Sequence, residues 1–292
     1  MSDWQVVRQA GALGAEVRGV ELAQIDAAQA REIEALLIEH KVLFFPEQHP
    51  SPEAQLEFGA RFGPVERHPH LANPTPGLPD GLFELASSEG GVADEWHTDL
   101  TCLSSPAVYS ILHMVKTPAV GGDTMWSNLA LAYASLSAPL RDLCDGLTAL
   151  HDGEPNGAPE ARAIHPVVRL HPVTEERVLF VNEHFTRRIM ELSHRESELL
   201  LGHLVRWVAE PRFTVRHRWR AGTVAMWDNR STQHFVLNDF QGERIIRRAT
   251  IMGDRVEPGS PPRWPAYTRA AGRSDTSRHD RILLSAEREA GD

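Results

Sequence analysis

His97-Thr98-Asp99 is the only His-x-Asp triplet in the chain. Residues two apart in an extended segment project to the same side, so this imidazole and carboxylate could close on one metal ion. His194-x-Glu196 carries similar groups, but its signals place it in the first turn of a helix. There i and i+2 do not share a face, and Glu196 is expected to close a capping box with Ser193. A second feature is the block Ala225-Met226-Trp227-Asp228-Asn229-Arg230-Ser231-Thr232-Gln233-His234, read as an apolar strand, a polar turn and a lone histidine. Arg244 and Arg248 follow. If they lie on one strand, Arg244, Ile246, Arg248 and Thr250 share a face and Arg247 takes the other. Two guanidiniums on a buried row are costly unless anions meet them. The row is therefore either an anion site or the solvent face of an edge strand.

Such residues need elements to hold them. Gln5–Arg8 and Ala15–Leu22 alternate like strands; Asp26 caps an amphipathic helix carrying Ile33, Leu36, Leu37 and His40; Val42–Phe45 is an apolar strand stopped by Pro46. Ser51-Pro52 opens a helix that runs to about Phe62 before Gly63-Pro64. Ser193 and Glu196 open another, with Leu199, Leu200, Leu204 and Val208 on its apolar face. Short β-like segments recur at Phe83–Ala86, Ala107–Val115, Asp123–Ser127, Leu147–His151, Val178–Val181, Phe213–Trp219, Thr223–Trp227 and Arg244–Met252. Many short strands and few long helices predict a mostly β fold, a sandwich or jelly roll with flanking helices.

The 292 residues are 41% apolar and 24% charged, as in compact globular chains, which excludes disordered and collagen-like classes. A domain over residues 1–255 with a Pro- and Arg-rich extension over 256–292 is expected from Pro258, Pro261, Pro262 and Pro265. The net charge of −10 argues against nucleic acid and anionic lipid as partners. Apolar runs are far shorter than a bilayer span, and the start, Met1–Trp4, has no basic-then-apolar leader, so a cytoplasmic protein is expected. Cys102 and Cys144 provide neither a disulfide framework nor a cysteine metal site. The 15 histidines leave an imidazole-based one open.

The pattern resembles the Fe(II)/2-oxoglutarate-dependent dioxygenases of the TauD/TfdA family, named for taurine and chlorophenoxyacetate dioxygenases, from about residue 8 to residue 254. The stretches that carry the resemblance are Trp96–Asp99, Gly121-Gly122-Asp123-Thr124-Met125-Trp126, His165-Pro166-Val167-Val168-Arg169, Leu179–Glu183, Trp227–His234 and Arg247-Arg248-Ala249-Thr250. It implies a double-stranded β-helix, the cupin-like jelly roll, with iron at its open end. It implies that His97, Asp99 and His234 hold Fe(II) as a facial triad, leaving three positions for 2-oxoglutarate and O2. By the same resemblance, Arg244 and Thr124 bind the distal carboxylate of 2-oxoglutarate, Arg248 and His68 bind an anionic group of the primary substrate, and Phe185 forms an aromatic wall beside it. The implied reaction hydroxylates a small sulfonate, alkyl sulfate or carboxylate, with release of succinate and CO2. Leu71 and Ala93 stand where taurine dioxygenase has tyrosine and asparagine, which argues against taurine. The stretch Asp152–Pro159 is shorter than the family's usual lid insertion, so the pocket is expected to be more open or closed by other elements. Two other readings of the same residues are a zinc hydrolase and a cupin-like carboxylate-binding module without turnover. A homo-oligomer is left open, with the extension as one means of forming it.

Overall fold

All four side chains of Val42–Phe45 are buried, because helices cover one face of their sheet and a second sheet covers the other. The computed structural model describes residues 2–67, 77–89, 93–253 and 255–268. In chain order they form β1 (Gln5–Arg8), β2 (Ala15–Arg18), α1 (Ala27–His40), β3 (Val42–Phe45), α2 (Pro52–Ala60), β4 (Leu82–Ala86), β5 (Ala107–Lys116), β6 (Thr124–Asn128), α3 (Leu129–Ala134), α4 (Ala138–Cys144), β7 (Thr148–Gly153), β8 (Ala158–Pro166), β9 (Val168–Leu170), β10 (Arg177–Leu179), β11 (Thr186–Ile189), α5 (His194–Val208), β12 (Thr214–His217), β13 (Val224–Asp228), β14 (Thr232–Val236) and β15 (Ile245–Met252).

The large sheet runs β1-β2-β3-β13-β5-β15-β4, and smaller sheets run β12-β6-β14, β11-β7-β8 and β10-β9. Period-2 alternation divides the large sheet's side chains between two cores. Leu43, Phe45, Tyr109, Ile111, Val224, Met226 and Ile251 join Ile33 and Leu37 of α1 and Phe58 of α2. Val42, Phe44, Leu112, Met114, Ala225, Trp227 and Ile246 meet Trp126 and Val215 of the opposing β12-β6-β14 sheet. This is the jelly roll, and its site lies inside the second core.

The capping signals act as read. Asp26 and Gln29 form a capping box on α1, Ser51 caps α2 with Pro52 at its first position, and Ser193 with Glu196 boxes α5. Other elements differ from expectation. The strand expected over Ala15–Leu22 stops at Arg18 and gives way to a 3-10 turn at Leu22–Gln24. The polar run after Asp228 is a short turn, and His234 stands inside β14. Asp152–Pro159 is the tip of the β7–β8 hairpin. Between residues 257 and 267 the chain hydrogen-bonds to earlier segments: Leu170 N donates to Glu257 O, Gly259 N to Val168 O, Arg263 N to Gly146 O and Tyr267 N to Met190 O. Among the described residues no helix is long and apolar enough to cross a membrane.

Burial holds His113, His165 and His217 at about 4, below their ordinary 6.5. As pH falls through that window the unfolded chain takes up protons that the folded chain refuses. Stability above pH 6.5 is therefore lost on acidification, by about 1.4 kcal/mol per pH unit for each fully titrating histidine. Denaturant midpoints that are equal at pH 7.5 and pH 5 would contradict their burial.

Candidate active site

His97 and His234 are joined by a reciprocal pair of backbone bonds, His97 N to His234 O at 3.1 Å and His234 N to His97 O at 2.8 Å. This antiparallel bridge brings together two residues far apart in sequence and puts their rings 4.0 Å apart. Asp99, two residues on, projects to the same side. Its Oδ1 lies 3.8 Å from His97 Nε2 and 3.9 Å from His234 Nε2. One ligand atom from each residue falls within 4.8 Å of the others, and all three residues are buried. His194 and Glu196 are exposed at the start of α5 and contribute nothing to this cluster.

The surroundings suit these groups to metal binding. Burial pushes both imidazoles below their ordinary range, His234 furthest, so both are neutral at pH 7. His97 Nδ1 sits 2.8 Å from Glu95 O. A carbonyl only accepts, so Nδ1 carries the proton and Nε2 keeps its lone pair. Burial would raise the Asp99 carboxyl, but the Arg248 guanidinium foremost, helped by the Ser110 hydrogen bond, holds it well below the usual carboxylate range. Its Oδ2 accepts from Ser110 Oγ at 2.7 Å and its Oδ1 from Arg248 Nη1 at 3.0 Å. Asn229 Nδ2 donates to Ser110 Oγ at 2.9 Å, while Asn229 Oδ1 accepts from the Trp227 indole at 3.0 Å. After Asp99 the chain turns through Leu100, whose φ of 57° is in the left-handed region. His165 Nε2 secures that turn, 3.0 Å from both Thr101 O and Leu103 O.

A buried carboxylate with both oxygens engaged is a fixed carboxylate. Ser110→Ala removes one of its donors and leaves the Asn229 amide without an acceptor. Metal affinity is expected to fall by about 10- to 100-fold, the usual effect of losing such a support; calorimetric Mn(II) titration reads it, and unchanged affinity would remove Ser110 from the site.

A cavity of about 330 Å3 opens beside these three residues. Arg244, just ahead of β15, lines it and is 7% exposed. Its Nε donates to Gly122 O at 3.2 Å and its Nη2 reaches Thr124 Oγ1 at 3.4 Å. No carboxylate among the described residues pairs with it, and burial lowers its pKa to about 10. Gly122 adopts φ +71°, and a Cβ there would meet Pro118 at 3.1 Å and Phe240 at 3.2 Å, which accounts for glycine in this stretch. Thr124 Oγ1 also accepts from the Trp219 indole at 2.8 Å. With two donors already on that oxygen, its own hydrogen remains to be donated.

Arg248 faces the cavity from β15, while Arg247, on the other face, pairs with Glu84 at 2.7 Å. The expected alternation holds, and the Arg248 row faces inward rather than to solvent. Phe83, Leu85, Leu112, Val236 and Ile246 supply apolar wall, and Phe185, 1% exposed, closes another side. Pro155 and Asn156 reach the cavity from the β7–β8 hairpin. His184 bridges this hairpin to Glu95, with Nε2 2.9 Å from Asn156 Oδ1 and Nδ1 2.6 Å from Glu95 Oε2. His68 and Leu71 lie outside the described residues. Sequence reading missed Ser110, Asn229 as a support, and His184. Asn229 stood inside a quoted stretch; a serine or histidine within a strand or loop gives no local signal of its own.

A jelly roll whose interior joins two imidazoles and a carboxylate to an unpaired guanidinium has the architecture of a 2-oxoglutarate-dependent dioxygenase. The comparisons agree. Residues 6–250 match the family described as taurine catabolism dioxygenase TauD, TfdA family. The chain is 40% identical over 271 residues to an alpha-ketoglutarate-dependent sulfate ester dioxygenase of Pseudomonas putida, covering 84% of this chain and 88% of that protein. It is 36% identical over 273 residues to an alkylsulfatase of Acinetobacter baylyi, covering 86% and 85%. A crystal structure of a taurine dioxygenase from Burkholderia xenovorans superposes with a TM-score of 0.79 at 38% identity, covering 87% of this chain and 93% of that one. The chain belongs to the TauD/TfdA family of 2-oxoglutarate-dependent dioxygenases.

Proposed function

We propose that the protein hydroxylates an alkyl sulfate ester, with 2-oxoglutarate as cosubstrate, at the carbon bearing the ester oxygen. The hydroxylated product then separates into an aldehyde and inorganic sulfate. The observation that carries this reading is the setting of Arg248. It is a cavity-facing guanidinium against Asp99, surrounded by Phe83, Leu85, Leu112 and Ile246, so it suits an anionic head followed by an apolar chain. Asp99 is the only carboxylate lining the cavity among the described residues. An ammonium such as that of taurine would have no other acidic partner there. The sulfate ester activity of the Pseudomonas relative supports the same class.

In this reading His97 Nε2, Asp99 Oδ1 and His234 Nε2 hold ferrous iron. The closeness, burial and protonation of these atoms fit that ion. Iron with O2 and 2-oxoglutarate supplies the oxidising power, releasing succinate and CO2. The chain's own residues do the rest. Arg244 and the Thr124 hydroxyl grip the distal carboxylate, Arg248 orients the sulfate, and Trp227 and Phe185 help exclude water. A zinc hydrolase would leave Arg244 without a role.

Succinate, aldehyde and sulfate release with linear alkyl sulfates, taurine and phenoxyacetate tests the proposal. A medium-chain alkyl sulfate is expected to give all three products in equal amounts, and preference for taurine would overturn the reading. Arg248→Ala is expected to raise the KM for the sulfate ester by at least about 30-fold, as for loss of a buried charge pair, with the 2-oxoglutarate KM nearly unchanged. The reverse pattern would mean the two arginines have exchanged roles.

A further inference from the structure

Behind the turn that joins β13 to β14 lies a second cavity, also of about 330 Å3, which shares no lining residue with the first. Three guanidiniums line it, from Arg169 of β9, Arg230 of the turn and Arg255 after β15, together with, among the described residues, one acid, Glu257. Arg169 is the unusual member. It is 4% exposed, its Nε is buried without a hydrogen-bond partner, and among the described residues no carboxylate lies within ion-pair distance of it. Its guanidinium rests over the Phe180 ring at 5.0 Å, and burial lowers its pKa to about 10.

The nearby Asp228 is already engaged. Its Oδ1 accepts from Arg230 Nε at 2.8 Å, and its Oδ2 from Arg230 Nη2 and His171 Nε2, each at 2.9 Å. Arg230 Nη2 also donates to Tyr109 Oη at 2.7 Å. A guanidinium has five N–H donors, so this accounting leaves both Nη1 hydrogens of Arg230. The main-chain carbonyl of Glu257 accepts from Leu170, and among the described residues its carboxylate makes no ion pair with the three arginines.

A buried guanidinium without an ion-pair partner is costly, and here guanidiniums from three separate segments line one cavity. We propose that this cavity binds a small tetrahedral oxyanion, sulfate or phosphate, between Arg169, Arg230 and Arg255. Donors arriving from several directions suit oxygens at tetrahedral corners better than the single plane of a carboxylate.

Two experiments on the full chain test the site. Crystals soaked in selenate are expected to show an anomalous peak beside Arg169 and Arg255; peaks confined to the neighbourhood of Arg244 and Arg248 would overturn the proposal. Sulfate and phosphate are also titrated separately by calorimetry at constant ionic strength set with chloride. Whichever binds more tightly identifies the ion, and equal response to chloride would overturn the assignment. Arg255→Gln changes an exposed side chain, so the variant is expected to fold, and its oxyanion affinity should fall about tenfold, as for one charge-assisted hydrogen bond. Arg169→Gln should abolish binding, with circular dichroism establishing that this variant folds. Unchanged affinity in Arg255→Gln would refute the site even if Arg169→Gln is unfolded.

Discussion

Replacing His97 by alanine is expected to weaken iron binding by well over about 100-fold, beyond the loss typical of a mere supporting residue, and to abolish turnover. The substitution removes one of three ligand atoms that lie within 4.8 Å of each other. It leaves intact the backbone bridge to His234, whose two hydrogen bonds use only main-chain groups. The fold should therefore survive, and the loss should be local. Anaerobic Fe(II) or Mn(II) titration measures it, with circular dichroism to establish folding. His194→Ala is the matched control: an exposed histidine paired at 3.2 Å with Glu198, whose loss should leave metal affinity unchanged. Full metal occupancy in the His97 variant would show that the triad is misassigned.

Arg244→Met should raise the KM for 2-oxoglutarate by about 30-fold to several thousand-fold, the range for removing one partner of a buried charge pair. A second expectation separates this from general damage. Arg244 is a buried cation whose contacts are Gly122 O and Thr124 Oγ1, with no carboxylate partner among the described residues. Exchanging it for an apolar side chain removes a desolvated charge and leaves no buried anion stranded, so the cosubstrate-free protein should melt at the same temperature or higher. Arg244→Lys keeps the charge but loses the planar fork, and should fall between the two. Unchanged 2-oxoglutarate dependence would reject the assignment, and a large drop in Tm with unchanged KM would make Arg244 a structural residue.

The two predictions rest on features of unequal legibility. His97 and Asp99 were recognisable because period-2 geometry brings residues two apart to one side within a single short segment. The same geometry distinguished Arg248 from Arg247, and the structure sends one to Asp99 and the other to Glu84. The Asp26 cap of α1 and the capping box of α5 were legible because the signal and its effect lie within four residues. By contrast β8, with mostly exposed or half-exposed residues, shows no apolar alternation. Helices α3 and α4 span six and seven residues, too few to establish a helical period.

Local order therefore determined the ligand types, the pairing of His97 with Asp99, the orientation of the two β15 arginines and the family motifs that surround them. Only the tertiary structure decided that His234 hydrogen-bonds to His97, that Ser110 and Asn229 brace Asp99, and that Arg244 is buried without an acidic partner among the described residues. These are contacts between segments separated by many residues. Pairing register and the closing of one sheet over another set such distances, and neither is a property of any short stretch of chain.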